Sequence, residues 1–197
     1  MKNLFLFAGI ISTGMLFSCG NAAEGDANSE DSVTTETSIE ATSEGTQVGQ
    51  ANLMSTSDTT QSIGTAKFYR LDDGQIRLDL EINATSRADS NVAVHFHEHG
   101  DCGNKGDNTH GHWNPTNQQH GEWGSAAFHI GDIGNLQLDA NGHATKTLTT
   151  NLWSVDDTAS NNIIGKALIV HGGTDDYVSQ PSGNAGPRIG CGVVTGL

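Results

Sequence analysis

Basic residues are scarce in this 197-residue sequence, which has nine Lys and Arg against 23 Asp and Glu and a formal net charge of -14. Such a balance argues against a nucleic-acid binder, because neutralising phosphates requires Lys and Arg. The three cysteines are too few for a disulfide-dense miniprotein. Beyond residue 18, no apolar run is long enough to cross a bilayer. Aromatic residues make up only 6% of the chain, whereas the 25 glycines favour a loop-rich β protein.

The first 18 residues have the pattern of an export signal. Lys2 supplies a positive charge, and residues 4–16 form a mostly apolar run of the usual length. The run ends in the sequence LFSC at 16–19, which resembles the bacterial lipobox, whose cysteine becomes lipidated. We expect acyl chains on Cys19 to anchor the protein to the membrane of the cell envelope, on the periplasmic side or the outer surface. The alternative is an ordinary signal peptide that a cysteine follows by chance.

Residues 19–46 are predicted to be the lipidated Cys19 followed by a disordered tether, and residues 47–197 to be a single domain. Ser, Thr, Glu, Ala and Gly dominate the tether, so the burial of side chains cannot offset the entropy of ordering it. Residues 20–50 contain seven acidic residues and no Lys or Arg, so this short segment carries about half of the net charge.

The domain shows the alternation of apolar and polar residues that is typical of half-buried strands. It is clearest at 75–84, where four aliphatic residues alternate with polar ones. The turn sequence DDG predicts a hairpin between 64–71 and this segment, and ANG predicts a second hairpin between 136–139 and 143–150. Further strands are predicted at 48–55, 92–98, 165–171 and 188–194. Eight short strands without a convincing amphipathic helix predict an antiparallel sandwich or barrel.

All nine histidines lie between residues 95 and 171. Each could be a surface side chain, but His95 and His97 project from the same face of a predicted strand and could bind one ion. An all-imidazole set of His95, His97 and His171 suits copper or another late first-row metal, whereas a set with a carboxylate suits zinc. The members of that second set are His120, His129 and Asp132. The spacing therefore predicts a metal site without fixing which metal or how many ions.

Six sequence blocks in this region strongly resemble those of the copper/zinc superoxide dismutases. They are HFHEHGD at 95–101, HWNP at 112–115, HG at 120–121, HIGDIGN at 129–135, IGKALIVH at 164–171 and GPRIGCGVV at 186–194. Together they cover essentially all of 47–197 in one consistent order, which is far more specific than any single block. The resemblance implies an all-β fold, a flattened eight-stranded antiparallel Greek-key β-barrel of the immunoglobulin-like sandwich type. Two long active-site loops are implied at about 99–133 and 172–187.

The resemblance also implies a site for two metal ions. Copper would be bound by His95, His97, His112 and His171, and zinc by His112, His120, His129 and Asp132. His112 would bridge the ions after losing both ring protons, which two adjacent dications make feasible. Asp175 would accept hydrogen bonds from His95 and His120 and so fix the orientation of both rings. Asp176 is the competing candidate for this role.

The implied activity is dismutation of superoxide to dioxygen and hydrogen peroxide by copper that alternates between its cupric and cuprous states. Arg188 would bind the superoxide anion, because its guanidinium stays charged, and His112 would give a proton to the product. Cys102 and Cys191 match the family's intrasubunit disulfide. A non-catalytic copper/zinc buffer of the same fold is the alternative function. An adhesion module built on this sandwich would not need the ligand set.

The resemblance leaves several residues without an assigned role. His99, His110 and His143 match no ligand position, so they are either surface residues or groups for auxiliary metal capture. The loop at 172–187 contains no Lys or Arg, so we predict weak electrostatic steering of superoxide. The candidate substitutes are Lys105 and Lys166. The resemblance allows a homodimer, and no nucleic-acid partner is expected.

Overall fold

A computed structural model describes residues 45–197 of the chain. The signal peptide predicted at 1–18, Cys19 and almost all of the tether predicted at 19–46 lie outside these residues. The described strands are β1 (Thr46–Ser55), β2 (Ser62–Arg70), β3 (Ile76–Asn83), β4 (Asn91–His97), β5 (Asp132–Gln137), β6 (His143–Thr150), β7 (Ala167–His171), β8 (Arg188–Val193) and β9 (Thr195–Gly196). Short 3-10 segments lie at Thr85–Arg87 and Asn104–Thr109. Neither these nor any other described segment forms a helix that is long and apolar enough to cross a membrane.

The first eight strands form one antiparallel sheet that curls into a nearly closed barrel. Along the sheet the strand order is β5-β4-β7-β8-β1-β2-β3-β6, and β9 pairs with β1. The two ends of this path, β5 and β6, contact each other. The order places β4 beside β7 and β3 beside β6. Strands that are neighbours in the sheet can therefore be far apart in the sequence. This arrangement confirms the predicted eight-stranded Greek-key barrel.

The first predicted hairpin is confirmed. β2 and β3 pair in register from Gly64 opposite Ile82 to Arg70 opposite Ile76. Buried residues alternate with more exposed ones along β3, as expected for a strand with one face on the core. The alternation of the sequence therefore specified which face of the hairpin is buried.

The second predicted hairpin, 136–139 with 143–150, is wrong. The chain does reverse there, and the amide of Gly142 donates a hydrogen bond to the carbonyl of Asp139 (2.9 Å). However, β5 begins four residues earlier than predicted and pairs with β4, whereas all eight residues of β6 pair with β3. A turn sequence determines where a chain reverses, but the partner of each strand depends on the sheet edge that can bury its side chains.

The packing of Phe96 in the core orients the first two candidate ligands. Its ring is fully buried, with its centroid 5.3 Å from that of Trp153 and 5.9 Å from that of Trp113. Since side chains alternate along a strand, burying Phe96 on this side directs His95 and His97 to the opposite face of β4. The hydrophobic core therefore fixes the direction of both imidazoles.

Two long loops cover that face: the first loop spans 98–131 and the second spans 172–187. As the resemblance implies, a disulfide joins Cys102 of the first loop to Cys191 of β8, with their Cα atoms 5.8 Å apart. β8 also begins with Arg188. The disulfide therefore fastens the first loop beside the strand that carries the predicted anion-binding residue.

Candidate metal centre

The fold brings the candidate ligands together from distant parts of the chain. His95 and His97 lie on β4, and His171 is the last residue of the neighbouring strand β7. His112, in the first loop, forms an isolated β-bridge with His97. Asp132 begins β5 opposite His95. The remaining candidates, both in the first loop, are His120 and His129.

These residues form two groups, and within each group the ligand atoms lie within 4.8 Å of one another. The first group is His95, His97, His112 and His171. The second group is His112, His120, His129 and Asp132. Every member is buried, and His112 belongs to both groups. Four imidazoles suit copper, and three imidazoles with one carboxylate suit zinc.

Backbone carbonyls fix the tautomers of two histidines in the first group. His97 Nδ1 donates a hydrogen bond to the carbonyl oxygen of His110 (2.9 Å), and His171 Nδ1 donates one to that of Gly186 (3.1 Å). Since a carbonyl can only accept, the proton of each neutral ring lies on Nδ1 and the lone pair on Nε2. The two Nε2 atoms are 3.2 Å apart. Two lone pairs repel each other at this distance, and a shared cation would relieve the repulsion.

Burial keeps these two rings neutral. It lowers the pKa of His97 to about 2 and that of His171 to about 3, and neighbouring histidines add to the effect. Neutral imidazole is the form that binds a metal ion. These two nitrogens can therefore accept an ion near neutral pH without first losing a proton.

His95 and His112 each add to the first group one nitrogen that forms no hydrogen bond within the described residues. His95 Nε2 lies 2.8 Å from Oδ2 of Asp175, and His112 Nδ1 lies 2.9 Å from Oδ1 of Asp132. Their other nitrogens, His95 Nδ1 and His112 Nε2, are buried without a hydrogen bond to any described residue. An unpaired buried polar atom costs about 1–3 kcal/mol. These orphaned nitrogens therefore fit a metal ion that would satisfy them.

The second group surrounds the carboxylate of Asp132. Its Oδ1 lies 2.9 Å from His112 Nδ1 and 3.2 Å from His129 Nδ1, and its Oδ2 lies 2.9 Å from His120 Nδ1. Within the described residues, neither His120 Nδ1 nor His129 Nδ1 meets a partner in hydrogen-bond geometry. Both nitrogens are therefore available to an ion, and the set of three imidazoles and one carboxylate fits zinc.

Charges in the second group are strongly coupled. Burial disfavours the anion of Asp132, but the close contacts of its oxygens with the rings of His112 and His120 outweigh burial and hold the pKa of this carboxyl well below its usual range. Burial also disfavours the charged form of His120, yet the contact with Asp132 and the hydrogen bond to Asp175 outweigh burial and raise the pKa of His120 to about 9. Asp132 is therefore an anion that can compensate a dication, and zinc would displace a proton from His120.

Asp175 links the two groups. Its side chain is buried, and its two oxygens accept hydrogen bonds from His95 Nε2 (2.8 Å) and His120 Nε2 (2.9 Å). Asp176 is exposed and accepts hydrogen bonds from the amide and hydroxyl of Ser179, which shape the second loop. Of the two candidate carboxylates, it is Asp175 that contacts a ligand of each group.

Sequence reasoning missed the residues that hold Asp175 in place. Asn135 accepts a hydrogen bond from the amide of Asp175 (2.8 Å) and donates one to its carbonyl (2.9 Å). The amide of Tyr177 donates to Oδ1 of Asp175 (2.7 Å). Gly183 has a φ of +65°, and a Cβ at this position would collide with Oδ1 of Asp175. Asn135 lies on β5 and Asp175 lies in the second loop, 40 residues later. Such long-range contacts leave no local pattern in a single sequence from which they could have been predicted.

Arg188 lies in a cleft that opens onto the first group. The lining of this cleft includes His97, His112, His171 and Arg188. Partial burial lowers the pKa of Arg188, but a guanidinium remains charged in a protein. Three acceptors in the first loop fix its position: the carbonyls of Gly106 and His110 and the hydroxyl of Thr109. The cleft therefore presents a fixed cation close to the imidazoles.

Neither candidate lysine lines this cleft. Among its described lining residues, Arg188 is the only Lys or Arg. Lys105 lines a different cleft, and Lys166 Nζ donates a hydrogen bond to the carbonyl of Glu98 (3.2 Å). The histidines that match no ligand position also lie outside both groups: His99, His110 and His143.

The chain is similar to proteins of known activity. The family model for copper/zinc superoxide dismutase matches residues 62–194. A Cu-Zn superoxide dismutase of Neurospora crassa is 40% identical over 118 residues, which cover 54% of this chain and 73% of that protein. One of Aquifex aeolicus is 32% identical over 68% of this chain and 80% of its own length. The crystal structure of a double mutant of a superoxide dismutase-like protein from Bacillus subtilis has a TM-score of 0.67 and 30% identity, over 75% of this chain and 97% of that chain.

Replacing Asp175 by Asn tests the link between the two groups. An amide nitrogen cannot accept a hydrogen bond, so either His95 or His120 loses its acceptor. We expect the affinity for at least one of the two ions to fall about 10- to 100-fold. Competition with chromophoric chelators measures the copper and zinc affinities of the Asp175→Asn variant.

Asp176→Asn is the matched control, because it removes the same charge from the exposed neighbouring residue. This variant should bind both ions as the parent protein does. Parent-like affinities in Asp175→Asn, or an equal loss in Asp176→Asn, would contradict the linking role of Asp175.

Proposed function

The chain belongs to the copper/zinc superoxide dismutase family, and on that premise we propose which residues perform its reaction and where in the cell it acts. As a member of this family it is an oxidoreductase that dismutes superoxide, with copper and zinc as cofactors. The proposed copper ligands are His95, His97, His112 and His171. The proposed zinc ligands are His112, His120, His129 and Asp132.

The first group of imidazoles holds the redox-active ion in this proposal. Copper bound there would supply a cupric/cuprous couple for the oxidation of one superoxide anion to dioxygen and the reduction of a second, with two protons, to hydrogen peroxide. The carbonyls of His110 and Gly186 keep the lone pairs of His97 and His171 directed toward the ion. Asp175 does the same for His95 by accepting from its Nε2.

Arg188 binds the substrate anion. It is the only Lys or Arg among the described residues that line the cleft, and its planar guanidinium offers several fixed donors. The carbonyl of His110 and the hydroxyl of Thr109 each accept a hydrogen bond from it at 2.6 Å. Since these contacts already fix the side chain, binding superoxide requires little further ordering.

His112 is the proposed bridge between the ions and the proposed proton carrier. It is the one residue that belongs to both groups, with Nδ1 2.9 Å from Asp132 and Nε2 buried without a partner. Burial lowers the pKa of His112 to about 4, so the ring without metal is neutral at pH 7. The lone pair of Nε2 can therefore bind an ion. If Nδ1 bound zinc in place of its proton, Nε2 of the still neutral ring could instead hold a proton and give it to the peroxide product. This shared ring is the observation that carries the proposal.

A non-catalytic metal buffer of the same fold is the competing function. The Bacillus subtilis relative is called superoxide dismutase-like, so a family fold does not by itself establish catalysis. In this chain both ligand sets are complete, and Arg188 places a cation in the cleft. Storing metal cations does not need a positive charge beside them, whereas binding an anionic substrate does. Catalysis is therefore the function that the geometry favours.

The enzyme acts on the bacterial cell envelope, anchored through lipid on Cys19. Two observations support this location. The apolar run at 4–16 is followed by LFSC at 16–19, and the Cys102–Cys191 disulfide is typical of an exported protein in an oxidising compartment. The acidic segment that follows Cys19 would hold the domain away from the membrane.

Copper- and zinc-loaded protein should suppress the reduction of cytochrome c by superoxide from xanthine oxidase. Replacing His97 by Ala removes a copper ligand and should abolish this activity, because the donor facing His171 is lost. Protein that binds both ions but leaves cytochrome c reduction unchanged would instead identify a metal buffer.

Arg188→Gln should keep both ions and lower the second-order rate with superoxide about 10-fold or more, because the one Lys or Arg side chain among the described residues of the cleft is lost. Lys105→Gln is the control, since Lys105 is not among the residues that line the cleft with the imidazoles, and its rate should match that of the parent. Raising the ionic strength with added salt should change the parent's second-order rate with superoxide little, because weak steering is predicted. A steep fall with ionic strength would show strong steering and contradict this expectation.

Metabolic labelling with a radioactive fatty acid tests the anchor. The parent protein should take up label and sediment with membranes, whereas Cys19→Ala should do neither. Cys102→Ser provides the control for loss of a cysteine elsewhere and should still be labelled. Label in Cys19→Ala, or none in the parent, would contradict lipidation.

A further inference from the structure

A third group of potential ligands lies outside the two buried ones. Glu98, His99 and His110 bring their ligand atoms within 4.8 Å of one another, and all three residues are exposed. The ring centroids of His99 and His110 are 4.6 Å apart. We propose that these residues form a third metal site, which captures Cu²⁺ or Zn²⁺ at the mouth of the cleft and hands copper to the buried group.

The backbone holds the three donors side by side. The amide of Glu98 donates to the carbonyl of Gly111 (3.1 Å), and the amide of His99 donates to that of Thr109 (3.2 Å). These bonds extend the pairing of β4 into the first loop and place His99 beside His110. The exposed donors are therefore presented by ordered backbone.

The donor set suits a divalent late first-row ion. Two imidazoles and one carboxylate bind zinc and also suit copper, and the carboxylate compensates part of the charge. Ligands of a tetrahedral ion with bonds of about 2.1 Å lie about 3.5 Å apart, and exposed side chains can rotate to close the difference from 4.8 Å. Within residues 45–197, the side chains of Glu98, His99 and His110 have no hydrogen-bond or ion-pair partner. Binding an ion would therefore break no existing bond.

The position of this group points to a role in metal loading. Glu98 and His110 line the same cleft as His97 and His171 of the first group. An ion held at this rim is concentrated beside the buried nitrogens, and the net charge of -14 favours the approach of cations. The capture role rests on the proposed copper site, whereas the existence of the third site does not.

Equilibrium dialysis against Cu²⁺ tests the third site on full-length protein whose buried copper and zinc sites are already filled. The parent should bind one further equivalent per chain, with an electron paramagnetic resonance signal distinct from that of the buried copper. His99→Ala should lose this equivalent, and Glu98→Gln should bind it more weakly. His143→Ala, which removes a histidine outside the group, is the matched control and should retain it.

His99 is the better position for this test than His110. His110 has a φ of +61°, and its carbonyl accepts hydrogen bonds from His97 and Arg188, so its replacement would also disturb the buried site. Equal binding of the further equivalent by the parent and His99→Ala, or no further equivalent in the parent, would overturn the third site.

The rate of copper loading tests the capture role. Zinc-loaded, copper-free protein mixed with limiting Cu²⁺ should develop the visible absorption of the buried copper more slowly in His99→Ala than in the parent or His143→Ala, and reach the same final absorbance. Equal rates despite a third site in the parent would overturn the capture role. Parent protein that binds the third ion but lacks dismutase activity would count against the proposed function and leave the third site standing.

Discussion

The metal centre depends on neutral imidazole nitrogens that face one another with no proton to share. The carbonyls of His110 and Gly186 take the protons of His97 and His171, so two lone pairs meet at 3.2 Å in a buried space. A cation between the two nitrogens would relieve this repulsion. The pairing of β4 with β7 fixes the backbone of both residues, and the two carbonyls hold the rings in this orientation. In the proposed copper site, relief of this repulsion would contribute to the affinity for the ion.

The two halves of the centre share structural supports. His112 belongs to both groups, and Asp175 accepts from one histidine of each. Asp175 is itself held by Asn135 and by the amide of Tyr177. A shift of the ligands in one group can thus change the geometry of the other group through His112 and Asp175.

The sequence predicted the parts of this protein that depend on local pattern. Period-two alternation identified β3 and its burial, and the family blocks identified the residues that the fold brings together in the two groups. The ladder partners of β5 and β6 were predicted wrongly, because the turn at 140–142 specifies a reversal and not a partner. The support of Asp175 by Asn135 and the close approach of Gly183 were missed, because they arise only when the second loop folds over β5. Likewise His99 and His110 become neighbours only through the course of the first loop.

One carbonyl group, that of His110, accepts hydrogen bonds from both His97 Nδ1 and the guanidinium of Arg188. Under the roles proposed for His97 and Arg188, the tilt of this one peptide plane affects both the electron-donating strength of a copper ligand and the orientation of the guanidinium that binds superoxide. Mutations that shift this plane would alter redox potential and substrate affinity together. Natural selection could tune one property independently of the other only through residues elsewhere in the cleft.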